Sequence, residues 1–402
     1  MLTRIEDLLV GPAAIGVRRN MRIELMSSLA FAPYQAALVF IPVILQRLDA
    51  GPNVIALYQS ASYVGFFLVP FASRFMPARN LQRFLAWVWA AGRVFFGLIG
   101  LAVSAPAILA LTMAGFFLES FPSAAYTRVI QQIYPANIRG RAMGFVRLGL
   151  AAGSIAATPL CGWVLDKAGY SVLFPVCGFL AIFSAWIFSH IRIEESPVAR
   201  PESRALAALW RVVREDRRYR FYLLAVIAFG FGGLIPTAFY PAVIVNRLNL
   251  SYTDISLLGA VQSIVWLGGY LLWGHVIDRT SGVRTVRILF AVMSIIPAAY
   301  LFATSGWMLV PASIAQGLGS AGIDLSFQQV TIELAPNERT YEDAVLVRTV
   351  IGIRGLIGPL LGVWFSTLGM PPTAIFALGS SLYLLAAVLM LSPVFRVPRG
   401  TR

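Results

Sequence analysis

Twelve apolar stretches, separated by short polar segments, constrain this chain more than any other feature of its sequence. Each has the length of about 20 residues that an α-helix needs to cross the hydrocarbon core of a bilayer. The stretches lie at 23–46, 54–73, 84–104, 107–128, 142–165, 171–191, 220–246, 255–276, 286–305, 308–332, 345–367 and 373–391. They are continuous rather than alternating, which favours helices over the strands of a membrane barrel. We therefore predict an all-α membrane protein with 12 transmembrane helices.

The composition excludes a soluble globular protein. Of the 402 residues, 58% are hydrophobic and only 12% are charged, whereas soluble domains carry about 25% charged residues. The chain contains 2 cysteines, which is too few for a disulfide-stabilised scaffold. Neither the cysteines nor the histidines have the spacing of metal ligands, so we expect no metal and no cofactor.

The positions of the basic residues explain a formal net charge of +14. Of the 32 lysines and arginines, 25 fall in segments that would face one side of the membrane, and three (Arg47, Lys167 and Arg247) would face the other. Basic residues accumulate in cytoplasmic loops. We therefore expect both termini in the cytoplasm and the chain in the cytoplasmic (inner) membrane. Because the charge reports topology, no nucleic-acid partner is expected.

The chain divides into two related halves. The longest hydrophilic segment, 192–219, lies at the midpoint, with six apolar stretches on each side. A parallel repeat of helices is typical of transporters whose substrate site lies between the halves. We predict an N-terminal bundle at 1–191, a cytoplasmic loop at 192–219 and a C-terminal bundle at 220–402. The residues that recur 200 positions apart are Arg47-Leu48 and Arg247-Leu248, Arg79 and Arg279, and Pro159-Leu-Cys-Gly162 and Pro359-Leu-Leu-Gly362.

Two motifs connect the chain to a known family. The segment Gly274–Arg284, GHVIDRTSGVR, is similar to the G-x-x-x-D-R-x-G-R-R loop of the major facilitator superfamily. The segment Gly149–Trp163 is similar to the G-x-x-x-G-P-x-x-G-G pattern of that family's drug/proton antiporters, with Thr158 and Trp163 in place of two glycines. The sequence resembles this superfamily over its whole length. The resemblance implies two six-helix bundles in a pseudo-two-fold repeat, and transport of a small solute.

The same resemblance predicts a cytoplasmic gate. In the family, the loop aspartate caps the start of a helix in the other half, so Asp278 would face Arg139 and Arg141. The first-half loop lacks this aspartate, and we predict an inverted pair between Arg79 and Asp343. The alternative is that these residues only fix the topology. The gate candidates are Arg74, Arg79, Arg83, Arg139, Arg141, Gly274, Asp278, Arg279, Gly282, Arg284, Glu342 and Asp343.

Charged residues inside the apolar stretches are the principal site candidates. A charge at the centre of a membrane helix costs about 2.5–3.5 kcal/mol on insertion scales. Glu119 and Asp324, near the middle of the fourth and tenth stretches, are predicted to bind a coupling proton, or to form structural ion pairs with Arg93 and Arg354 respectively. Glu24 and Glu333 are expected to be solvated, because they lie near cytoplasmic ends. The embedded arginines are Arg93, Arg147, Arg348 and Arg354.

Uncharged polar and aromatic residues complete the predicted cavity. Amides and aromatic rings suit a mixed polar and apolar pocket, although many such residues only pack helices together or face lipid. The candidates are Tyr34, Gln35, Gln59, Tyr126, Tyr240, Gln262, Trp266 and Gln316.

These observations predict a secondary active transporter and not an enzyme. The sequence has no G-x-x-x-x-G-K-[ST] phosphate loop, which argues against ATP-driven transport by this chain. The expected partners are a small solute, anionic if the embedded arginines face the cavity, together with protons and membrane lipids, and the chain is expected to be a monomer. The alternatives are an uncoupled facilitator, or a transporter-like protein that acts as a sensor or assembly partner.

Overall fold

The computed structural model describes residues 15–72, 77, 80–120, 122–135, 137–193, 216–334 and 340–395. Within these ranges all regular structure is helical and no strand occurs. The all-α prediction is therefore confirmed. Most of the predicted central loop, at 194–215, lies outside the described residues.

The helices follow the predicted stretches closely. In the N-terminal half they are α1 (Ile15–Leu38), α2 (Ile41–Arg47), α3 (Pro52–Ala72), α4 (Leu81–Leu98), α5 (Ala105–Ser120), α6 (Ser123–Ile133), α7 (Arg139–Ala168) and α8 (Tyr170–Phe188). In the C-terminal half they are α9 (Arg217–Leu234), α10 (Tyr252–Arg279), α11 (Gly282–Met293), α12 (Ile295–Phe302), α13 (Val310–Leu334), α14 (Thr340–Thr367) and α15 (Pro372–Leu389).

Most of these helices have the dimensions of membrane spans. Among the described residues, 8 helical segments are long and apolar enough to cross a bilayer, and α5 with α6, bent by 43°, would make a ninth. The three remaining predicted spans are also helical, as α3, α9 and α13. Large apolar side chains point outwards, including Trp87, which is 77% exposed, and Leu271, which is 81% exposed. Such side chains suit a lipid solvent rather than water.

The chain forms two compact units. The first comprises Met1–Val54, Val64–Arg200 and Ser251–Ala260, and the second comprises Ile55–Tyr63, Pro201–Leu250 and Val261–Arg402. Two short segments thus group differently from the predicted halves: the middle of α3 belongs to the second unit, and the start of α10 belongs to the first. The sequence repeat gives no sign of this exchange. The contacts of these two segments with α7 or α14 join residues that are far apart along the chain, and a local sequence pattern does not report them.

Each unit has its own apolar core. In the first unit, Leu85, Val129 and Tyr134 are fully buried together. In the second, the rings of Phe229 and Phe290 stack with their centroids 4.3 Å apart. Offset aromatic pairs of this kind stabilise a core beyond the area that they bury.

The sequence repeat corresponds to repeated local structure. Arg47 ends the short helix α2, and Arg247 ends a π-helical turn at Val243–Arg247. Two residues later in each half, Asp49 and Asn249 have positive φ angles of 54° and 47°. Aspartate and asparagine tolerate this left-handed conformation better than most residues. The repeat therefore preserves the turn that ends the first helical segment of each half.

A close approach of two glycines joins α4 to α8. A Cβ atom built on Gly178 would lie 2.7 Å from the Cα of Gly97, a distance that real Cβ atoms do not show. Small residues let membrane helices approach closely enough for backbone packing. Gly178 is thus required by packing rather than by its backbone conformation.

We expect Gly178→Ala to destabilise the protein by about 1–3 kcal/mol, because the added methyl group overlaps the backbone of α4. Gly144→Ala is the matched control, since Gly144 lies on the neighbouring helix α7 with nothing within 4 Å of a built Cβ. That control should stabilise slightly through helix propensity. Thermal unfolding of both variants in detergent measures the difference, and equal melting temperatures would contradict the packing assignment.

Candidate functional site

A buried ion pair lies at the centre of the first unit. The Nε of Arg93 on α4 is 3.2 Å from Oε1 of Glu119 on α5. The side chains are only 6% and 19% exposed. The predicted pairing of these two residues is therefore confirmed, whereas a role for Glu119 in proton binding stays a prediction.

The guanidinium of Arg93 has further partners on two other helices. Its Nη1 donates to the carbonyl of Ala181 at 2.7 Å and approaches the hydroxyl of Ser184 at 3.4 Å. Ser184 in turn meets Ser27 on α1, with the two hydroxyls 3.3 Å apart. The Cζ of Arg93 also lies 4.6 Å from the ring centroid of Phe31. One arginine thus connects four helices, and its charge is neutralised within the unit.

Glu24 is the acid that the sequence analysis placed wrongly. It lies on α1, is 3% exposed, and accepts hydrogen bonds from the hydroxyls of Tyr126 at 2.6 Å and Tyr134 at 2.5 Å. The expectation of a solvated carboxylate failed because Tyr126 on α6 and Tyr134, the residue that follows α6, both bind the carboxylate of Glu24. Glu333 is exposed, as expected.

Asp324 has a different environment. It lies on α13 and is exposed, although its helix position is near mid-span. Its Oδ2 accepts a hydrogen bond of 2.6 Å from the hydroxyl of Tyr270 on α10. The pairing with Arg354 suggested by the sequence stays a prediction.

Arg354 lies on α14 and is 8% exposed. Its Nη1 donates to the backbone carbonyl of Val226, and its Cζ lies 5.6 Å from the ring centroid of Phe229. The Nε of Arg354 is buried and has no hydrogen-bond partner. This side chain therefore contrasts with Arg93, which has a carboxylate partner on the chain.

The remaining cavity candidates are distributed over both units. Tyr34 is buried, with its ring centroid 5.0 Å from that of Phe96. Tyr240 stacks on Phe376 with centroids 5.5 Å apart. Arg147 is exposed, and the side chain of Arg348 lies outside the described residues. The half-buried candidates are Gln35, Gln59, Tyr126, Tyr240, Gln262, Trp266 and Gln316.

The predicted gate loop is built around a capped helix start. The hydroxyl of Ser281 accepts from the backbone N–H of Arg284, and Glu333 on α13 accepts from Gly282 N–H at 2.7 Å. A carboxylate is favourable at a helix N-terminus. Asp278 is exposed, and its predicted contact with Arg139 and Arg141 stays a prediction.

Several of the gate candidates cannot be placed, because they lie outside the described part of the chain. Arg74 and Arg79, and the side chains of Glu342 and Asp343, are outside the described residues. The inverted Arg79–Asp343 pair therefore stays a prediction. Arg139 donates to the carbonyls of Tyr134 and Gln131. The exposed gate candidates are Arg83, Arg141, Asp278, Arg279 and Arg284.

A second capped helix start, which the sequence analysis missed, lies in the first unit. Asp166 near the end of α7 accepts from the backbone N–H of Tyr252 at 3.0 Å and of Thr253 at 2.7 Å, where α10 begins. The guanidinium of Arg47 lies over the Tyr252 ring at 3.8 Å. The sequence did not predict this contact. Many spans end near an acidic residue, and nothing in the sequence pairs Asp166 with the start of α10 in particular.

The profile of the Major Facilitator Superfamily matches residues 23–306 and 222–402. The chain belongs to this superfamily. It is therefore a multi-pass membrane protein.

A curated relative of this superfamily member is the staphyloferrin B transporter of Staphylococcus aureus (strain NCTC 8325 / PS 47). The two are 26% identical over 274 residues, which make up 63% of this chain. The match spans 64% of the relative's length, just under two thirds of it.

Solved structures of two transporters share the fold of this superfamily member. The nucleoside transporter NupG superposes with a TM-score of 0.72 at 11% identity, covering 94% of this chain and 100% of NupG. A bacterial homologue of the human lysosomal transporter Spinster superposes with a TM-score of 0.65 at 16% identity, covering 95% of this chain and 100% of that one. At these identities the likeness establishes the fold alone.

We expect Arg93→Met to destabilise this protein by about 3–5 kcal/mol, because it leaves the Glu119 carboxylate buried without its counter-ion. Combining it with Glu119→Gln should recover part of the loss. Arg141→Met, at an exposed position, should change stability little. Unfolding in detergent micelles measures all three, and a double variant less stable than Arg93→Met would contradict the ion-pair assignment.

Proposed function

We propose that this chain is a secondary active transporter that moves a small, anionic solute across the cytoplasmic membrane, coupled to protons, by alternating access. Its membership of a transporter superfamily supports the transport of a small solute. The absence of a phosphate loop from the sequence supports an ion gradient as the energy source. The excess of basic residues on one side supports cytoplasmic termini. We expect it to act as a monomer among membrane lipids.

The observation that carries proton coupling is the position of Asp324. A carboxylate on a membrane helix is costly while charged, and a proton removes that cost. Asp324 is exposed, so a proton can reach it, and Tyr270 donates to it at 2.6 Å. A hydroxyl suits both states of the acid, because it donates to the carboxylate and can accept from the protonated form.

Glu119 is the weaker of the two proton candidates. Its carboxylate is held at 3.2 Å from a guanidinium that stays charged, and it is mostly buried. This ion pair gives Glu119 a structural role in its unit.

The anionic character of the solute rests on the embedded arginines. Four arginines but only two acids lie well within the predicted spans, and the charge of Arg93 is already balanced by Glu119. A site with an excess of positive charge attracts anions. Arg354 is the buried arginine whose charge the described residues do not balance.

A flux measurement tests the proposal. The purified protein is screened against solute libraries by thermal shift, and each stabilising solute is then followed into proteoliposomes with an imposed pH gradient. Wild-type protein should accumulate the solute and move protons with it. Flux that an uncoupler leaves unchanged would indicate a facilitator, and no flux for any stabilising solute would favour a sensor or assembly role.

We expect Asp324→Asn to abolish proton-driven accumulation while retaining solute exchange at equal concentrations, because the amide cannot carry the proton. The matched control is Asp49→Asn, an exposed aspartate in a turn outside the spans. Solute accumulation and a pH-sensitive dye report the two movements. If Asp324→Asn accumulated solute like the control, Asp324 would not be the proton site.

A further inference from the structure

Within the part of the chain that the structure describes, two arginines are deeply buried, and only one of them has a described counter-ion. Arg93 is 5% exposed and is served by a carboxylate, a backbone carbonyl and a hydroxyl. Arg354 is 8% exposed and is served by one backbone carbonyl. Among the described residues no carboxylate forms an ion pair with it. A buried guanidinium without a counter-ion is strongly unfavourable. Arg354 therefore calls for a counter-ion that the described residues do not supply, such as a bound anion.

One donor of Arg354, the buried Nε, has no acceptor, and it lies on one edge of the guanidinium. Nη1 donates to Val226, whereas Nε is buried without an acceptor. In any arginine, the Nε–H and one Nη2–H point in the same direction, away from Nη1. This edge matches the two oxygens of a carboxylate, which it binds through two parallel hydrogen bonds. The contact with Val226 therefore holds the side chain through Nη1, whereas the unpaired Nε lies on the carboxylate-binding edge.

The surroundings of Arg354 are suited to a ligand group. Tyr63, Tyr222 and Tyr383 lie within electrostatic reach of the guanidinium and supply hydroxyl groups but no negative charge at neutral pH. A Cβ atom built on Gly230 would overlap the Cδ of Arg354. Because glycine has no side chain, the side chain of Arg354 fits in this space. All of these residues belong to the second unit.

We propose that Arg354 binds a carboxylate of the transported solute through its Nε–Nη2 edge. This inference rests on the proposed function and narrows it from an anionic solute to a carboxylate-bearing one. A single planar guanidinium favours carboxylate over phosphate here, because the two oxygens of one carboxylate match its edge and share a single charge. Phosphate places a second charge on the same group, and the described surroundings provide no second cation beside Arg354, whereas the further carboxylates of succinate or citrate are separated from the bound one by several bonds.

A binding measurement with matched probes tests the solute class. Purified full-length protein is titrated with succinate, citrate, inorganic phosphate and the uncharged succinamide at constant ionic strength, and the dissociation constants are measured by calorimetry. Succinate or citrate should bind, and succinamide and phosphate should bind at least tenfold more weakly. Tighter binding of phosphate or equal binding of succinamide would overturn the proposal, as would failure of both carboxylates to bind.

Variants of Arg354 test whether this residue binds the carboxylate. Arg354→Gln should weaken carboxylate binding about 100-fold, as expected for the loss of two charge-assisted hydrogen bonds, and Arg354→Lys should weaken it less. Arg218→Gln, an exposed arginine at the start of α9, is the control and should bind like wild type. Unchanged affinity in Arg354→Gln would overturn the assignment.

A stability measurement separates ligand binding from a structural role. Without solute, Arg354→Met should be at least as stable as wild type, because it removes a buried charge that no described carboxylate balances. A loss as large as that of Arg93→Met would show that the fold itself satisfies Arg354, and would overturn the proposal. Proton-driven flux of a solute that has no carboxylate would refute the carboxylate inference and leave the proposed transport function standing. Binding of a carboxylate without any flux would refute the proposed transport function and leave the carboxylate inference standing.

Discussion

The hydrocarbon core of the membrane offers no water to charged side chains, and this constraint accounts for the interior of both units. Each embedded charge needs a partner within the protein or from a ligand. Arg93 and Glu119 satisfy each other at 3.2 Å. Glu24 is satisfied by two tyrosine hydroxyls. Arg354 donates to one backbone carbonyl. This difference in partners separates an arginine that holds helices together from the one that we propose binds a solute.

The same constraint acts at the helix ends, where backbone N–H groups lack partners within their own helix. Asp166 accepts from the first N–H groups of α10, and Glu333 accepts from those of α11. Asp216 does the same for its own helix, α9. Carboxylates at the membrane boundary thus complete the hydrogen bonding of long apolar helices and place the loops that connect them.

The sequence predicted well wherever the relevant signal was local. Apolar length identified the helices, and the recurrence of Arg47-Leu48 at Arg247-Leu248 marked turns that end alike in both halves. Pairing was predicted where two charges stood alone on neighbouring spans, as for Arg93 and Glu119. The prediction for Glu24 failed because its partners, Tyr126 and Tyr134, lie more than 100 residues away in sequence, on or just beyond a helix that is bent relative to its predecessor.

By itself, the sequence determined the class of protein, its helices and its superfamily, because hydropathy and loop motifs act over short distances along the chain. Only the tertiary structure decided which embedded charges are balanced. Arg93 and Arg354 are indistinguishable as arginines in apolar stretches, yet one lies beside a carboxylate and the other beside Val226 and a ring. The reason is that a counter-ion must lie within a few ångströms, and such proximity depends on how distant helices pack.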